Sequence, residues 1–370
     1  MTIRHFCLSG GGIVGIVMYG IVKRLNRLKV WKHEDIESIY CCSIGSVIGL
    51  IIILDIEWDW MDDFWIKRPW DKIFNIRDID YFQYITDKGV FDENTWIKVV
   101  TPLLKSRGMK PDITILELYR ETNIEYNVFI TDMNNVTKTV INHKTFPDMR
   151  VTYAIYITTC IPYVCKPAFL NGSLYIDGGL TNNVPINDCL FNNNCDESEV
   201  INITNEFDPR YIFSLDSKYV VDDSLIASDN FDQSNNDILD NNSDNNDNNI
   251  DNNDNNIDNI DDRDVILDIS NNVNNTETES FDSIINTEID EHCNVFQFSM
   301  FLLMKMANQF MFLNTCNNKM IKNTIRARFT SCSALDVRYW LDIIFNRHHI
   351  ATCIDYGGIL ADTFYRDNQV

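Results

Sequence analysis

Three short stretches of this sequence carry residue types that can perform acyl-transfer chemistry. The first is Ser9-Gly10-Gly11-Gly12-Ile13-Val14-Gly15, directly after the apolar run Ile3 to Leu8. Glycines let a backbone turn tightly and bring bare N–H groups against a ligand, and a helix that starts there adds the positive end of its dipole. Such a loop suits an anion: a phosphate, or the oxyanion of an ester transition state. Gly10, Gly12 and Gly15 also fit the dinucleotide fingerprint G-x-G-x-x-G, which needs an acid at the carboxyl end of the second strand. Glu34 and Asp35 have the spacing, but they precede the second apolar run instead of ending it. Taken alone, the stretch is also compatible with a tight turn that binds nothing.

The second stretch is Cys41-Cys42-Ser43-Ile44-Gly45-Ser46-Val47-Ile48-Gly49. A serine flanked by small residues, after a strand and before a helix, is the nucleophile-elbow arrangement: the sharp turn exposes Oγ and the helix N-terminus stabilises nearby negative charge. Cys41 stands where the G-x-S-x-G pattern has its first glycine, and Gly45 and Gly49 suit close packing of the helix. Ser43 could instead merely cap a buried helix. Cys42 is a competing nucleophile, but a strand residue on the buried face is screened from substrate, which favours Ser43. The third stretch is Tyr175-Ile176-Asp177-Gly178-Gly179-Leu180-Thr181-Asn182-Asn183-Val184-Pro185-Ile186. An aspartate on a tight Asp-Gly-Gly loop after an apolar strand is common as a plain turn, and it can also accept a serine proton as general base.

The elements that must position these residues follow from the apolar pattern. Ile3 to Leu8 and Ile36 to Cys42 read as buried strands, Ile13 to Leu28 as a helix, and a second helix starts at Ser43. Glu57 to Trp70, with four tryptophans, reads as a core helix or a lid. Asn94 to Leu104 reads as a helix, and Tyr126 to Thr131 and Lys138 to Asn142 as strands. Strands alternating with helices imply an α/β fold with a mostly parallel sheet.

The net charge of −23 is concentrated in one segment. Residues 222–291 hold 21 acidic side chains against a single basic one, Arg263, so they carry −20 of it. The rest of the chain is near neutral and has no nucleic-acid footprint. The segment is rich in Asn and Asp and nearly devoid of aromatics, so it is expected to be a disordered insert, a solvated linker lacking the ligand order of a calcium loop. The expected organisation is a core over 1–221 that holds every motif, the insert over 222–291, and a helical part over 292–370 that completes the core through Val295 to Leu313 and Ser333 to Asn346. The 11 cysteines include no C-x-x-C pair, and several lie in apolar runs, which implies free thiols in a reducing compartment. The start of the chain lacks a signal-peptide pattern, and the apolar run Ile44 to Leu54 is too short to span a bilayer. A cytoplasmic protein, working in solution or at a membrane surface, is expected.

Together, in this order and context, the three stretches resemble the patatin-like phospholipases, with their G-G-G-x-[KR]-G oxyanion loop, G-x-S-x-G elbow and D-G-[GA] aspartate. The likeness runs from Phe6 to Asn187. It includes Thr131-Asp132-Met133-Asn134, Thr159-Cys160-Ile161-Pro162, Pro167 and the Leu170-Asn171-Gly172-Ser173 turn. It implies a three-layer α/β sandwich with a Ser43–Asp177 dyad at strand ends, oxyanion donors from Gly11 and Gly12 on a loop shaped by Gly10 and Gly15, and Gly178 and Gly179 shaping the base loop. It also implies a fatty acyl ester such as a phospholipid as substrate, a membrane surface as its source, and no metal or cofactor. Val14 replaces the family's Lys or Arg and Cys41 its Gly. These departures motivate a second reading, a catalytically weak lipid-binding or regulatory protein on the same fold. A Ser43, Asp177, His348 triad would copy the chain order of the α/β-hydrolases. Their serine follows several strands, however, and only two fit before Ser43. His348 and His349 follow Arg347 in what reads as a polar helix end.

Overall fold

Strands β1 (His5–Leu8) and β2 (Ser38–Cys42) are buried along their whole length, and β3 (Glu125–Asp132) beyond its first residue. Strands that read as continuous apolar runs need cover on both faces. The computed structural model, which describes residues 2–75, 81–207, 318–329 and 337–368, provides it. Phe6, Leu8, Ile39, Cys41, Val128 and Ile130 point into one large core, and Cys7, Tyr40, Cys42 and Phe129 into a smaller one on the opposite face. Helices α1 (Ile16–Arg27), α2 (Ile44–Leu54), α3 (Trp58–Lys67), α4 (Trp70–Ile73), α6 (Glu93–Ser106), α7 (Ile115–Thr122) and α8 (Val151–Thr158) contribute to the large core. Helix α10 (Ile186–Asn193), after the short α9 (Gly179–Asn182), covers the other face with Ile186 and Cys189. Helix α5 (Tyr81–Asp87) exposes Phe82 and Ile85. The insert at 222–291 and the stretch Val295 to Leu313 lie outside the described residues.

The sheet has eight strands in the order β5-β6-β3-β2-β1-β7-β8, with β4 on the other edge of β3. Here β4 is Thr137–Ile141, β5 Ala168–Leu170, β6 Ser173–Asp177, β7 Val200–Phe207 and β8 Thr324–Phe329. It is mixed, which corrects the expectation of a mostly parallel sheet. Strands β3, β2, β1, β7 and β8 are parallel, whereas β4, β5 and β6 make antiparallel pairs. The cause is local. Met133 to Val136 and the pair Asn171-Gly172 are too short for a crossover, so each enforces a hairpin. Asn171 at φ 52° and Gly172 at φ 83° both take the left-handed conformation that two-residue hairpin turns demand.

The tryptophan-rich stretch is core through Trp65 and Trp70, while Trp60 is exposed. Trp65 and Trp70 are buried, the Trp70 indole N–H donates to the Trp65 carbonyl at 2.8 Å, and Phe64 packs edge-on against both rings. Helix α2 is buried on every side, as expected of a helix apolar all round. The C-terminal part adds β8 to the sheet edge beside α11 (Val337–Phe345) and α12 (Arg347–Asp367). Helices α12 and α1 cross at Gly357 and Gly20, where an added Cβ on either would fall 2.2 Å from a carbonyl oxygen of the other helix. No helix among the described residues is long and apolar enough to cross a membrane.

Candidate active site

The register of β3 brings two of the three motifs together. Cys42, the last residue of β2, lies opposite Phe129, and Asp177, the last residue of β6, lies opposite Ile130. Because β4 occupies the other edge of β3 over Val128–Asp132, β2 and β6 share one edge and meet there end to end. The chain after Cys42 therefore emerges beside Asp177.

Ser43 follows at φ 51° and ψ −128°, between β2 and α2. A non-glycine residue in this region costs about 1–3 kcal/mol and persists only where its surroundings hold it. They do so here. The Ser43 N–H donates to Thr158 Oγ1 at 2.9 Å, Thr158 donates on to the Phe129 carbonyl at 2.5 Å, and the Ser43 carbonyl accepts from Ser46 Oγ at 2.6 Å. Gly45 packs against β1 so closely that a Cβ would fall 2.5 Å from the Leu8 carbonyl oxygen. With α2 seated in this way, the serine side chain is turned out of the strand direction.

Asp177 is tied down by its own backbone and by its neighbours. Its N–H donates to the Cys160 carbonyl at 3.0 Å, and its carbonyl accepts from Thr131 Oγ1 at 3.0 Å. Gly178 lies against the Phe129 carbonyl with no room for a Cβ. The carboxylate Oδ1 accepts the Gly179 N–H at 2.7 Å and faces the Cys42 thiol at 3.7 Å. Burial pushes the Asp177 carboxyl up to about 6, against the lowering influence of hydrogen bonds from the Ser43 side chain, the Gly179 N–H and Cys42. At neutral pH the group is then an ionised base far stronger than an ordinary aspartate. Burial and the Asp177 charge push the Cys42 thiol well above its usual range, so it stays protonated, a donor to the carboxylate and a poor nucleophile.

The glycine loop is fixed from two sides. Asn183, six residues beyond Asp177, accepts the Gly10 N–H through Oδ1 at 3.0 Å. From β7, the Asn205 N–H donates to Ser9 Oγ at 2.9 Å and its side-chain amide to the Gly10 carbonyl at 3.3 Å. A Cβ on Gly10 would lie 3.1 Å from that of Ser43, so the loop passes directly beside the serine. Gly15 packs on Ile44 in the same way. Gly12 begins a 3-10 turn that ends at Gly15 and leads into α1. The N–H groups of Gly11 and Gly12 have no partner among the described residues.

Both departures from the family pattern point away from this centre. Val14 is fully buried in the large core. Cys41 faces the same core beneath Gly49, its thiol 3.5 Å from the Asn127 carbonyl. The acids of the dinucleotide alternative, Glu34 and Asp35, sit in a turn before β2, and Ser43 takes the place at its carboxyl end. His348 and His349 lie in the first turn of α12, a helix start instead of a helix end. His349 pairs with Asp342 at 3.4 Å, and no histidine is among the groups acting on Asp177. No cluster of metal-ligand type occurs among the described residues. A surface cavity of 480 Å³ lined by Phe146, Met149, Arg150, Tyr153 and Leu170 contains neither Ser43 nor Asp177.

Three residues that hold the motifs in place were not singled out from the sequence: Asn183 lies inside the Asp-Gly-Gly stretch, whereas Thr158 and Asn205 carry no local signal, because only the tertiary fold brings them to the motifs.

The site thus joins a buried serine in a strained strand–helix turn, a part-buried aspartate beside it and a glycine loop whose Gly11 and Gly12 N–H groups have no partner among the described residues. The chain belongs to the patatin-like phospholipase family, whose profile matches residues 6–190. It is 25% identical over 185 residues to a probable lipid hydrolase, 463L, of Invertebrate iridescent virus 6, an alignment covering 50% of this chain and 62% of that protein. It is 25% identical over 208 residues to the uncharacterized protein R571 of Acanthamoeba polyphaga mimivirus, covering 55% of this chain and 66% of that one. The chain thus spans just under two thirds of the length of these relatives. Among solved structures, VipD from Legionella pneumophila aligns at 15% identity with a TM-score of 0.40, over 55% of this chain and 50% of that one.

Proposed function

We propose that this protein is a lipid acyl hydrolase that cleaves fatty acyl esters, phospholipids among them, through an acyl-serine intermediate on Ser43. The observation that carries the reading is the meeting of Ser43 and Asp177 at the facing ends of β2 and β6, with the carboxyl raised to about 6. In this mechanism Ser43 Oγ attacks the ester carbonyl carbon while Asp177 takes the hydroxyl proton. The carbonyl oxygen becomes negative and is held by the Gly11 and Gly12 N–H groups; loss of one such donor typically costs on the order of 10² to 10³ in rate. The tetrahedral intermediate collapses, and the leaving alcohol departs with the proton from Asp177. Water then attacks the acyl-serine, again giving its proton to Asp177, and the fatty acid leaves with Ser43 restored. The substrate meets this centre at a lipid surface.

The burial of Val14 and Cys41 in the large core, clear of the serine, supports the catalytic reading over the catalytically weak one, although the loop lacks the cation usual in the family. The test is product analysis by lipid mass spectrometry. The wild-type protein should release free fatty acid from phospholipid vesicles, and Ser43→Ala should release none. Equal release by both proteins would refute the proposal.

A further inference from the structure

The glycine loop is also covered from far along the chain. Trp340 of α11 packs directly on Gly12. A Cβ built there would fall 2.5 Å from Cε2 and 2.8 Å from Nε1 of the indole, and Gly12 at φ +60° could not carry one without strain. Trp340 Nε1 is buried and has no hydrogen-bond partner among the described residues. A buried indole N–H ordinarily finds an acceptor, so its absence calls for an explanation.

Two other buried indoles, Trp65 and Trp96, also lack a partner. Both lie among aromatic rings that can accept weakly, Trp65 against Phe64 and Trp70, Trp96 against Phe74. Trp340 Nε1 lies instead against Gly12, whose own N–H, like that of Gly11, has no acceptor among the described residues. Among the described residues, three donors without an acceptor thus lie on or against this one loop, and such donors suit an anionic oxygen. The loop from Ser9 to Gly15 contains no cation, and Val14 is turned into the core, so hydrogen-bond donors are what this loop offers to negative charge.

We propose that the Trp340 indole N–H is a third donor at the glycine loop, held for the ester oxygen that becomes negative when Ser43 attacks. The proposal rests on the acyl-hydrolase reading and extends it, because α11 lies beyond residues 6–190, where the family resemblance ends. On this account the C-terminal part of the chain completes the chemistry as well as the core.

The test replaces Trp340 in the full chain by 3-benzothienylalanine, which keeps the bicyclic shape and has sulfur in place of the N–H. Trp340→Phe is the genetically encoded companion. Both are assayed on 4-nitrophenyl butyrate, which is neutral and soluble, and on phosphatidylcholine in mixed micelles. The expected result is a kcat about 10- to 100-fold below wild type on both substrates, with KM within about twofold, an unchanged melting temperature for the benzothienyl protein, and slower labelling by a fluorophosphonate. Wild-type kcat in the benzothienyl protein would overturn the proposal. So would a defect confined to KM on phosphatidylcholine, which would make the indole a headgroup contact. A wild-type protein that hydrolyses neither ester and takes no label at Ser43 would overturn the underlying acyl-hydrolase reading, a result distinct from both.

Discussion

Asn183 Oδ1 accepts the Gly10 N–H at 3.0 Å, and through this bond the loop that carries the base holds the loop that faces the serine. It also leaves Gly10 with no N–H to offer a substrate, so the backbone donors left for the proposed mechanism are those of Gly11 and Gly12. Replacing Asn183 by Ala leaves that part-buried N–H without its acceptor, at a cost of about 1–3 kcal/mol. Asn183→Ala should lower the melting temperature and reduce kcat on a soluble ester by about 10-fold or more, while phosphonate labelling of Ser43 persists at a slower rate. Unchanged kcat would mean that the loop holds its shape without this tie.

The raised Asp177 carboxyl makes two linked predictions. As the proposed base it must be ionised, so kcat/KM should fall as pH drops through about 6 and level off above it. Stability should respond in the opposite sense. A carboxyl with a folded-state value near 6, against an unfolded value near 3.8, binds its proton more tightly in the folded state, so stability is lost as pH rises from about 4 to 6. Asp177→Asn should therefore abolish turnover yet gain about 1–3 kcal/mol of stability above pH 7, an advantage that shrinks toward pH 4. Thermal melts of both proteins across this range provide the check. A destabilised variant above pH 7 would contradict the burial-driven shift.

Val14 is wholly enclosed, so restoring the cation found at this position in the family would bury a charge. Burying an unpaired charge is strongly unfavourable. Val14→Arg should lower stability by about 3 kcal/mol or more and should not raise the rate of the folded fraction. A stable and faster enzyme would show that the side chain can swing out of the core toward the substrate.

Much of the geometry of the candidate site is legible in the sequence, and the reasons are local. The strand–serine–helix junction at Ser43, the hairpin turn at Asn171-Gly172 and the glycine loop each depend on backbone conformations that few residues adopt, so the residue types announce them. The departures were not legible. Whether Val14 and Cys41 crowd the serine depends on which way each side chain points in a packed core. The β3–β4 and β5–β6 hairpins rest on connections too short for a crossover, and the antiparallel β3–β6 pair on a long-range register, neither of which the alternation of strands and helices carries. Trp340 and Asn205 were beyond reach altogether, since contacts with glycines almost 200 residues or more away leave no periodic trace.

The central claim is that Ser43 is the nucleophile, and not the adjacent Cys42, whose buried thiol hydrogen-bonds to Asp177. The most direct measurement is mass-spectrometric mapping of the adduct after the wild-type protein reacts with a fluorophosphonate, alongside Ser43→Ala and Cys42→Ala. The account predicts a stoichiometric adduct on Ser43 in the wild type, the same adduct in Cys42→Ala, and none in Ser43→Ala. An ester-hydrolysing wild type whose adduct maps to another residue, or a Ser43→Ala protein that still labels and turns over, would contradict it.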